Sequence, residues 1–272
     1  MIIELNGSRV FVGQGGVGWQ ADRQTLVLQH GAGMDRTIWV LLARYFARHG
    51  FNVVVPDLPG HGASEGNALT SIEEQAAFLW TLLDCLNSEH GLPDTPIVLG
   101  GHSMGALVAT AAAGLRPDAV QHLLLFGAGY PMGVGTALLD AAKANEQAAV
   151  DMIAIFGHSY RSQLGHNAVA GISVQNAAMA LLERAKPGVL FTDLQACNNY
   201  SGVEEVAGAL KGVKATVISG DSDRMTPYKF TQNLADMLSA EVIVVDDSGH
   251  MMMGEQPERT LQAAKQVLLS GR

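Results

Sequence analysis

The pentapeptide Gly101-His-Ser-Met-Gly105 places a serine between two glycines, directly after a β-favouring run and directly before a helix-favouring run. A strand that turns sharply into a helix forces its central residue into a strained backbone conformation. Side chains at the two glycine positions would collide with neighbouring backbone in such a turn. The pattern therefore predicts that Ser103 is presented at a strand end, beside the N–H groups that begin the next helix.

A serine hydroxyl is a poor nucleophile near neutral pH, so it needs a base within hydrogen-bonding distance and a third group that orients the base. Two later segments supply these residue types at the ends of predicted strands: Gly220-Asp-Ser-Asp-Arg-Met-Thr-Pro227 and Ser248-Gly-His250. Of the nine histidines, His250 is the candidate base because of its position, and Asp221 and Asp223 are both candidates for the acid. The chemistry predicted is nucleophilic acyl transfer.

Hydrophobic patterning predicts the elements that must position these residues. Runs typical of strands cover residues 2–5, 9–12, 25–29, 51–55, 97–100, 121–126, 216–219 and 242–245. Helix-period runs cover residues 38–49, 72–86, 104–114, 227–238 and 257–269. Alternating strands and helices indicate βαβ units, so the predicted fold class is α/β, with a mostly parallel eight-stranded sheet flanked by helices on both faces.

The alternation is interrupted once, between residues 130 and 202. This segment contains Ala- and Met-rich stretches of helical period at 136–149 and 176–186, separated by glycines, and no convincing strand. An insertion here would lie over the carboxyl ends of the parallel strands, where open α/β sheets bind ligands. We therefore expect a core formed by residues 1–129 and 203–272, and a helical cap, or lid, formed by residues 130–202.

Composition excludes several classes of protein. The 272 residues include 17 Lys and Arg against 26 Asp and Glu, a formal charge of −9, which argues against a nucleic-acid partner. A hydrophobic content of 48% argues against disorder. The chain has neither a long uninterrupted apolar run nor a basic, then apolar, leader, so we expect no membrane span and a cytoplasmic location. Cys85 and Cys197 lie in unrelated contexts, which favours two reduced thiols over a metal site.

Five segments together resemble the α/β-hydrolase fold superfamily, in the form that carries a helical cap after the sixth strand. They are Gln29-His-Gly-Ala-Gly33, Asp57-Leu-Pro-Gly-His-Gly-Ala-Ser64, the pentapeptide around Ser103, Gly220-x-x-Asp223-x-x-x-Pro227, and Gly249-His250 followed by Glu255-Gln-Pro257. The chain order Ser, Asp, His is the order of that superfamily. The resemblance implies Asp223 as the acid, because the family spacing from glycine to acid to proline is met there; Asp221 is the alternative.

The resemblance also implies further site residues. The backbone N–H groups of Ala32 and Met104 would form the oxyanion hole. His30 and His61, in glycine-containing loops, would make structural hydrogen bonds. We expect His30, Tyr130 and Met251 to line the substrate pocket, although core packing is the commoner use of a methionine.

The function expected is that of a serine esterase, a hydrolase that uses a catalytic triad without cofactor or metal on a small-to-medium, largely apolar acyl compound. The glycine-rich run at 13–18 leads into another strand, so it favours a loop over a dinucleotide site. Two alternatives stay open: a C–C bond hydrolase of a β-diketone-like compound or a lactonase with the same triad, and a ligand-binding module that retains the pocket. The sequence does not predict an oligomeric state.

Overall fold

The computed structural model describes residues 1–270 and contains one eight-stranded sheet. The strands are β1 (Ile2–Leu5), β2 (Ser8–Gly13), β3 (Gln24–Gln29), β4 (Phe51–Pro56), β5 (Ile97–His102), β6 (Val120–Phe126), β7 (Lys214–Gly220) and β8 (Glu241–Val245). Their spatial order is β1-β2-β4-β3-β5-β6-β7-β8. The first two strands form an antiparallel hairpin, β2 pairs antiparallel with β4, and all remaining pairs are parallel. The predicted fold class is confirmed.

Twelve α-helices lie within residues 1–270. They are α1 (Val40–Arg48), α2 (Ile72–His90), α3 (Met104–Leu115), α4 (Thr136–Lys143), α5 (Gln147–Gly157), α6 (Tyr160–Gln163), α7 (Val174–Leu182), α8 (Val189–Asn199), α9 (Val203–Ala207), α10 (Tyr228–Leu238), α11 (Met252–Glu255) and α12 (Pro257–Leu269). Short 3₁₀ turns at Arg36–Trp39 and Pro117–Ala119 precede α1 and β6.

Helices cover both faces of the sheet, which explains why the central strands are apolar throughout. Every residue of β4 is buried, and its side chains alternate between two cores. Val54 packs in the cluster formed with α2, α3 and α10, whereas Val53 and Val55 pack in the cluster formed with α1 and α12. A parallel sheet buried on both faces needs such continuous hydrophobic strands rather than alternating ones.

Six helices, α4 to α9, lie between β6 and β7, where the sequence predicts a helical insertion. The stretch 136–149 forms two helices rather than one, because Asn145 adopts a left-handed conformation with φ 54°. Its side-chain oxygen accepts a hydrogen bond from Gly188 N at 2.7 Å. A contact 43 residues away along the chain therefore sets this break, and no local period could have indicated it.

Candidate active site

Ser103 occupies the turn between β5 and α3, with φ 55° and ψ −118°. A Cβ atom at Gly101 would overlap the carbonyl oxygen of Gly105, and one at Gly105 would overlap the carbonyl oxygen of Gln29. The steric reason inferred for both glycines is therefore confirmed. The backbone N–H of Ser103 donates to the carbonyl of Phe126 at 3.0 Å, which anchors the turn to the end of β6.

His250 and Asp223 meet at the ends of β8 and β7. The Nδ1–H of His250 donates to Asp223 Oδ2 at 2.9 Å, and both side chains are almost wholly buried. Thr226 donates twice more to the carboxylate, from its backbone N at 2.9 Å and from its hydroxyl at 2.8 Å. Burial raises the pKa of Asp223, but the nearby His250 and these hydrogen bonds outweigh burial and lower it overall. A carboxylate that accepts from Nδ1–H leaves His250 Nε2 as the ring nitrogen able to take a proton.

Asp221 lies in the same loop but has different partners. It is exposed, and its two carboxylate oxygens accept hydrogen bonds from Asp247 N at 3.0 Å and Ser248 N at 3.1 Å. Its carboxylate therefore shapes the loop that leads to His250. The contact with the imidazole belongs to Asp223.

His102 has a role that the sequence did not indicate. It is fully buried beside Ser103, and its Nε2–H donates to the backbone carbonyl of His250 at 2.9 Å. Burial, together with the proximity of His250, lowers the pKa of His102 to about 3, so the ring is neutral. It ties the end of β5 to the loop that carries the candidate base. Its position directly before Ser103 was the only available signal.

Ser103 and His250 lie at the same edge of the sheet. A Cβ atom at Gly127, which follows the Phe126 carbonyl bonded by Ser103 N, would lie 3.0 Å from His250 Nδ1. Ser103 also lines one cavity with Thr226, whose hydroxyl is 3.4 Å from the same ring nitrogen. Among residues 1–270 the Ser103 hydroxyl has no hydrogen-bond partner. No hydrogen bond therefore joins Ser103 to the imidazole in this structure, and catalytic hydrogen bonds often tighten only in the complex with substrate.

Two backbone donors flank the serine. Met104 N begins α3, and Ala32 follows β3 and lines the cavity that contains Ser103. Within the described part of the chain, neither N–H has an acceptor. Most backbone N–H groups in protein interiors are paired. Two unpaired donors next to a serine can stabilise an oxygen that becomes negative during acyl transfer.

The cavity beside Ser103 has a volume of about 280 Å³. Most of its wall comes from the insertion between β6 and β7: Met132, Gly133, Val134, Gly135, Ala137, Leu138, Met152, Phe156, Leu194 and Cys197. The core adds Ala32, Arg224, Met225 and Thr226. The insertion therefore covers the serine with largely apolar side chains.

The structure corrects the pocket lining that the sequence predicts. His30 is fully buried: its Nδ1–H donates to Gly31 O at 2.9 Å and its Nε2 accepts from Leu58 N at 3.2 Å. Tyr130 is buried in the hydrophobic core. Met251 lines a neighbouring groove of about 510 Å³. None of these three side chains lines the Ser103 cavity, because long-range packing rather than closeness along the chain decides the lining.

Two other features that could bind a metal ion or a dinucleotide lie apart from this site. Within residues 1–270, one cluster of side chains could offer ligands to a metal ion. It consists of Cys85, Glu89 and His90, whose potential ligand atoms lie within 4.8 Å of one another. It lies at the end of α2, which leads to the start of β5 and hence to the sheet edge opposite Ser103. The glycine-rich run at 13–18 begins at the last residue of β2 and continues as a loop toward β3, without a following helix, as predicted.

The chain matches a known protein family over most of its length. A family model described as the alpha/beta hydrolase family matches residues 26–263, a range that holds Ala32, Ser103, Asp223 and His250. The chain belongs to the alpha/beta hydrolase family. It is therefore an enzyme of the hydrolase class.

Within this family, three relatives illustrate the likeness. The (E)-2-((N-methylformamido)methylene)succinate hydrolase of Acinetobacter baylyi is 28% identical over 251 residues, which cover 90% of each chain. A pimeloyl-[acyl-carrier protein] methyl ester esterase of Aromatoleum aromaticum is 30% identical over 253 residues, covering 87% of this chain and 95% of that protein. A thermophilic esterase from Thermogutta terrifontis superposes with a TM-score of 0.83 at 21% identity, covering 99% and 98% of the two chains.

Among the described residues, none of the helices has both the length and the apolar character needed to cross a membrane.

Proposed function

We propose that this hydrolase is a cofactor-independent serine esterase that cleaves a carboxylic ester of a small-to-medium, largely apolar acyl compound. The observation that carries the proposal is the 2.9 Å hydrogen bond from His250 to the buried Asp223, at the sheet edge where the strained turn presents Ser103. A base whose second nitrogen is held by a carboxylate, close to a serine in such a turn, is the arrangement that nucleophilic acyl transfer requires.

The reaction proceeds in two halves. Ser103 Oγ attacks the ester carbonyl while its proton passes to His250 Nε2, and the carbonyl oxygen becomes negative. The C–O bond to the alcohol then breaks as His250 returns the proton to the leaving oxygen. A water molecule, deprotonated by His250, attacks the acyl-enzyme, and the acid leaves as Ser103 regains its proton.

The buried polar groups support each charge that develops. The lowered pKa of Asp223 keeps this residue anionic, so it fixes the His250 tautomer and stabilises the imidazolium that forms. The unpaired N–H groups of Ala32 and Met104 are the proposed donors to the oxyanion. Donors of this kind contribute roughly 3 kcal/mol each to transition-state stabilisation in comparable hydrolases.

The cavity supports the proposed substrate class. Its volume of about 280 Å³ lies just below the usual range for drug-sized ligands, and its wall is mainly apolar. We propose that residues 130–202 act as the cap that provides most of this wall. One relative, the pimeloyl-[acyl-carrier protein] methyl ester esterase, is named as an esterase. A formal charge of −9 gives no attraction for polyanionic substrates.

Ser103→Ala is the direct test, assayed with p-nitrophenyl esters of increasing acyl length and with a fluorophosphonate probe read by intact mass. We expect turnover to fall by at least about 10³-fold and labelling to disappear, because the nucleophile is lost. Ser88→Ala, which removes an exposed hydroxyl on α2, is the matched control and should behave as the unmodified chain does. Wild-type turnover in folded Ser103→Ala would overturn the assignment.

The same assay separates the alternative reactions, because lactones and β-diketones can be placed beside esters of equal size. We expect the highest kcat/KM for an ester. A lactone or a diketone with a higher kcat/KM would move the proposal to ring opening or to C–C cleavage by the same residues. Failure of the folded wild-type chain to react with the fluorophosphonate would favour a ligand-binding module.

A further inference from the structure

Asp193, on cap helix α8, is a buried carboxylate that contacts the core at two points. Its side chain has no exposed surface, and its Oδ2 accepts a hydrogen bond from Gly33 N at 2.7 Å. The same oxygen lies 2.8 Å from His61 Nε2. Gly33 directly follows Ala32, whose N–H is a proposed oxyanion donor. One cap side chain is therefore bonded to the residue next to that donor.

The surroundings of His61 favour the doubly protonated form of its ring. Its Nδ1 lies 3.0 Å from the carbonyl of Pro59 and its Nε2 faces Asp193, so both neighbours are acceptors. Burial lowers the pKa of His61, but the Asp193 carboxylate, both hydrogen bonds and Asp57 outweigh burial and raise it. The adjacent ring, His30, is neutral because burial and His61 lower its pKa to about 4. The contact between cap and core thus pairs a buried carboxylate with a histidine whose surroundings favour its charged form.

The cap also packs directly against the backbone of this loop. A Cβ atom at Gly33 would lie 2.8 Å from Leu190 Cδ1 on α8. Asp193 lies three residues further along the same helix, so packing and the ion pair act on the same loop. Oxyanion donors must be placed to within a fraction of an ångström, because a displacement of about 1 Å costs roughly a hundredfold in rate.

The second oxygen of Asp193 has no hydrogen-bond partner among residues 1–270. A buried carboxylate pays a desolvation cost that an apolar residue of similar size would avoid. Leucine at this position would satisfy packing between α8 and the loop. The carboxylate adds directional hydrogen bonds to Gly33 and His61, which packing alone does not supply.

We propose that Asp193 is a positioning residue: its bonds to Gly33 and His61 hold the neighbouring Ala32 N–H in the orientation of an oxyanion donor, so that docking of the cap is coupled to the site. The inference rests on the proposed function and adds a residue to it that acts through the backbone rather than by touching substrate.

Two variants of the full chain separate the contribution of the Asp193 charge from that of its hydrogen bond to Gly33. Asp193→Asn keeps an oxygen for Gly33 N but removes the charge, and Asp193→Leu removes both while keeping the branched shape of the side chain. We expect kcat to fall by between about ten- and a hundredfold, more in the leucine variant, with KM changed by less than about threefold. Arg184→Gln is the matched control, since it removes another cap-to-core ion pair, the 2.9 Å contact with Asp35, and should leave kcat unchanged.

Thionoesters provide a readout that a merely structural role would not move. A thiocarbonyl sulfur accepts weaker hydrogen bonds than a carbonyl oxygen, so a displaced donor slows the oxygen ester more than the thionoester. The ratio of kcat for the oxygen ester to kcat for the thionoester should therefore fall in both Asp193 variants and stay constant in Arg184→Gln. Folded Asp193 variants with wild-type kcat and an unchanged ratio would overturn the inference while leaving the Ser103 assignment intact.

Amide hydrogen exchange tests the same link without any substrate. Exchange in residues 31–34 should become faster in both Asp193 variants and remain at the wild-type rate in Arg184→Gln. Unaltered exchange in that loop, measured on folded Asp193→Asn, would overturn the proposal even if the proposed esterase function were itself wrong. Circular dichroism and thermal unfolding establish that each variant is folded.

Discussion

Asp221 and Asp223 are two residues apart in one loop, yet they face different partners. Asp223 is buried and accepts from the His250 imidazole, whereas Asp221 is exposed and accepts from the backbone of residues 247 and 248. The same chemical group therefore has two roles, which its partners decide. The proposed reaction depends directly on only one of them.

We expect Asp223→Asn to lower kcat by about 10⁴-fold, because an amide favours the wrong tautomer of His250 and does not stabilise the imidazolium. Asp221→Asn, the matched control, should cost less than about tenfold, since it weakens only loop hydrogen bonds. Steady-state kinetics of both variants with one ester give the comparison. Equal losses in the two variants would show that the acid has been assigned to the wrong aspartate.

The turn between β5 and α3 depends on residues without side chains. Alanine favours helices more than glycine by about 1 kcal/mol, so propensity alone predicts that Gly105→Ala stabilises α3. The structure predicts the opposite, because the new methyl group would overlap the carbonyl oxygens of Gln29 and His30. Overpacking of this kind typically costs about 1–3 kcal/mol.

Gly105→Ala should therefore lower the free energy of unfolding and also reduce kcat, since the displaced backbone belongs to the loop that leads to Ala32. Gly254→Ala, in α11, is the control, because no atom lies within 4 Å of a Cβ atom there. Helix propensity should therefore decide the outcome, and the free energy of unfolding should stay the same or rise. Urea unfolding measures both variants. A Gly105→Ala protein as stable as wild type would contradict the steric account.

Local sequence signals predicted the elements of the core well, because each depends on nearby residues. The run Ser71-Ile-Glu-Glu74 has the spacing of a capping box, and Ser71 is the N-cap of α2, accepting from Glu74 N at 3.1 Å. The cap was harder to predict. Its helix boundaries depend on distant contacts such as Asn145 with Gly188, and helical period alone did not show which apolar faces would turn toward Ser103.

The residues of the candidate site also differ in how well the sequence predicts them. Ser103 and His250 stand at strand ends and within recognisable motifs, so their positions indicated them, and the resemblance to the superfamily favoured Asp223 over Asp221. Asp193 lies inside a helix without any motif, and only the fold brings it to His61, 132 residues away along the chain. Contacts between cap and core are long-range, and a single sequence carries no local signal for them.

At the scale of the whole molecule, buried histidines link stability to pH. His30 and His102 are fully buried, and their pKa values are lowered from 6.5 to about 4 and about 3. Between pH 6.5 and 4 the unfolded chain therefore binds more protons than the folded chain, so stability falls as the pH falls. The pKa of His61 is raised, so its contribution is fully present below pH 6.5 and is lost only as the pH rises through its folded value.

Urea unfolding from pH 7 to pH 4.5 should therefore show a free energy of unfolding that decreases with acidity, by up to about 1.4 kcal/mol per pH unit for each of the two histidines. His102→Gln keeps an N–H donor for the His250 carbonyl but does not titrate, so it should remove about half of the slope. Glutamine in place of the exposed His166 is the control and should leave the slope unchanged, because this substitution removes no buried imidazole. If the free energy of unfolding of the wild-type chain is constant between pH 7 and pH 5, both imidazole rings are already hydrated in the folded chain. The contact from His102 to the His250 loop would then be weaker than its 2.9 Å length indicates.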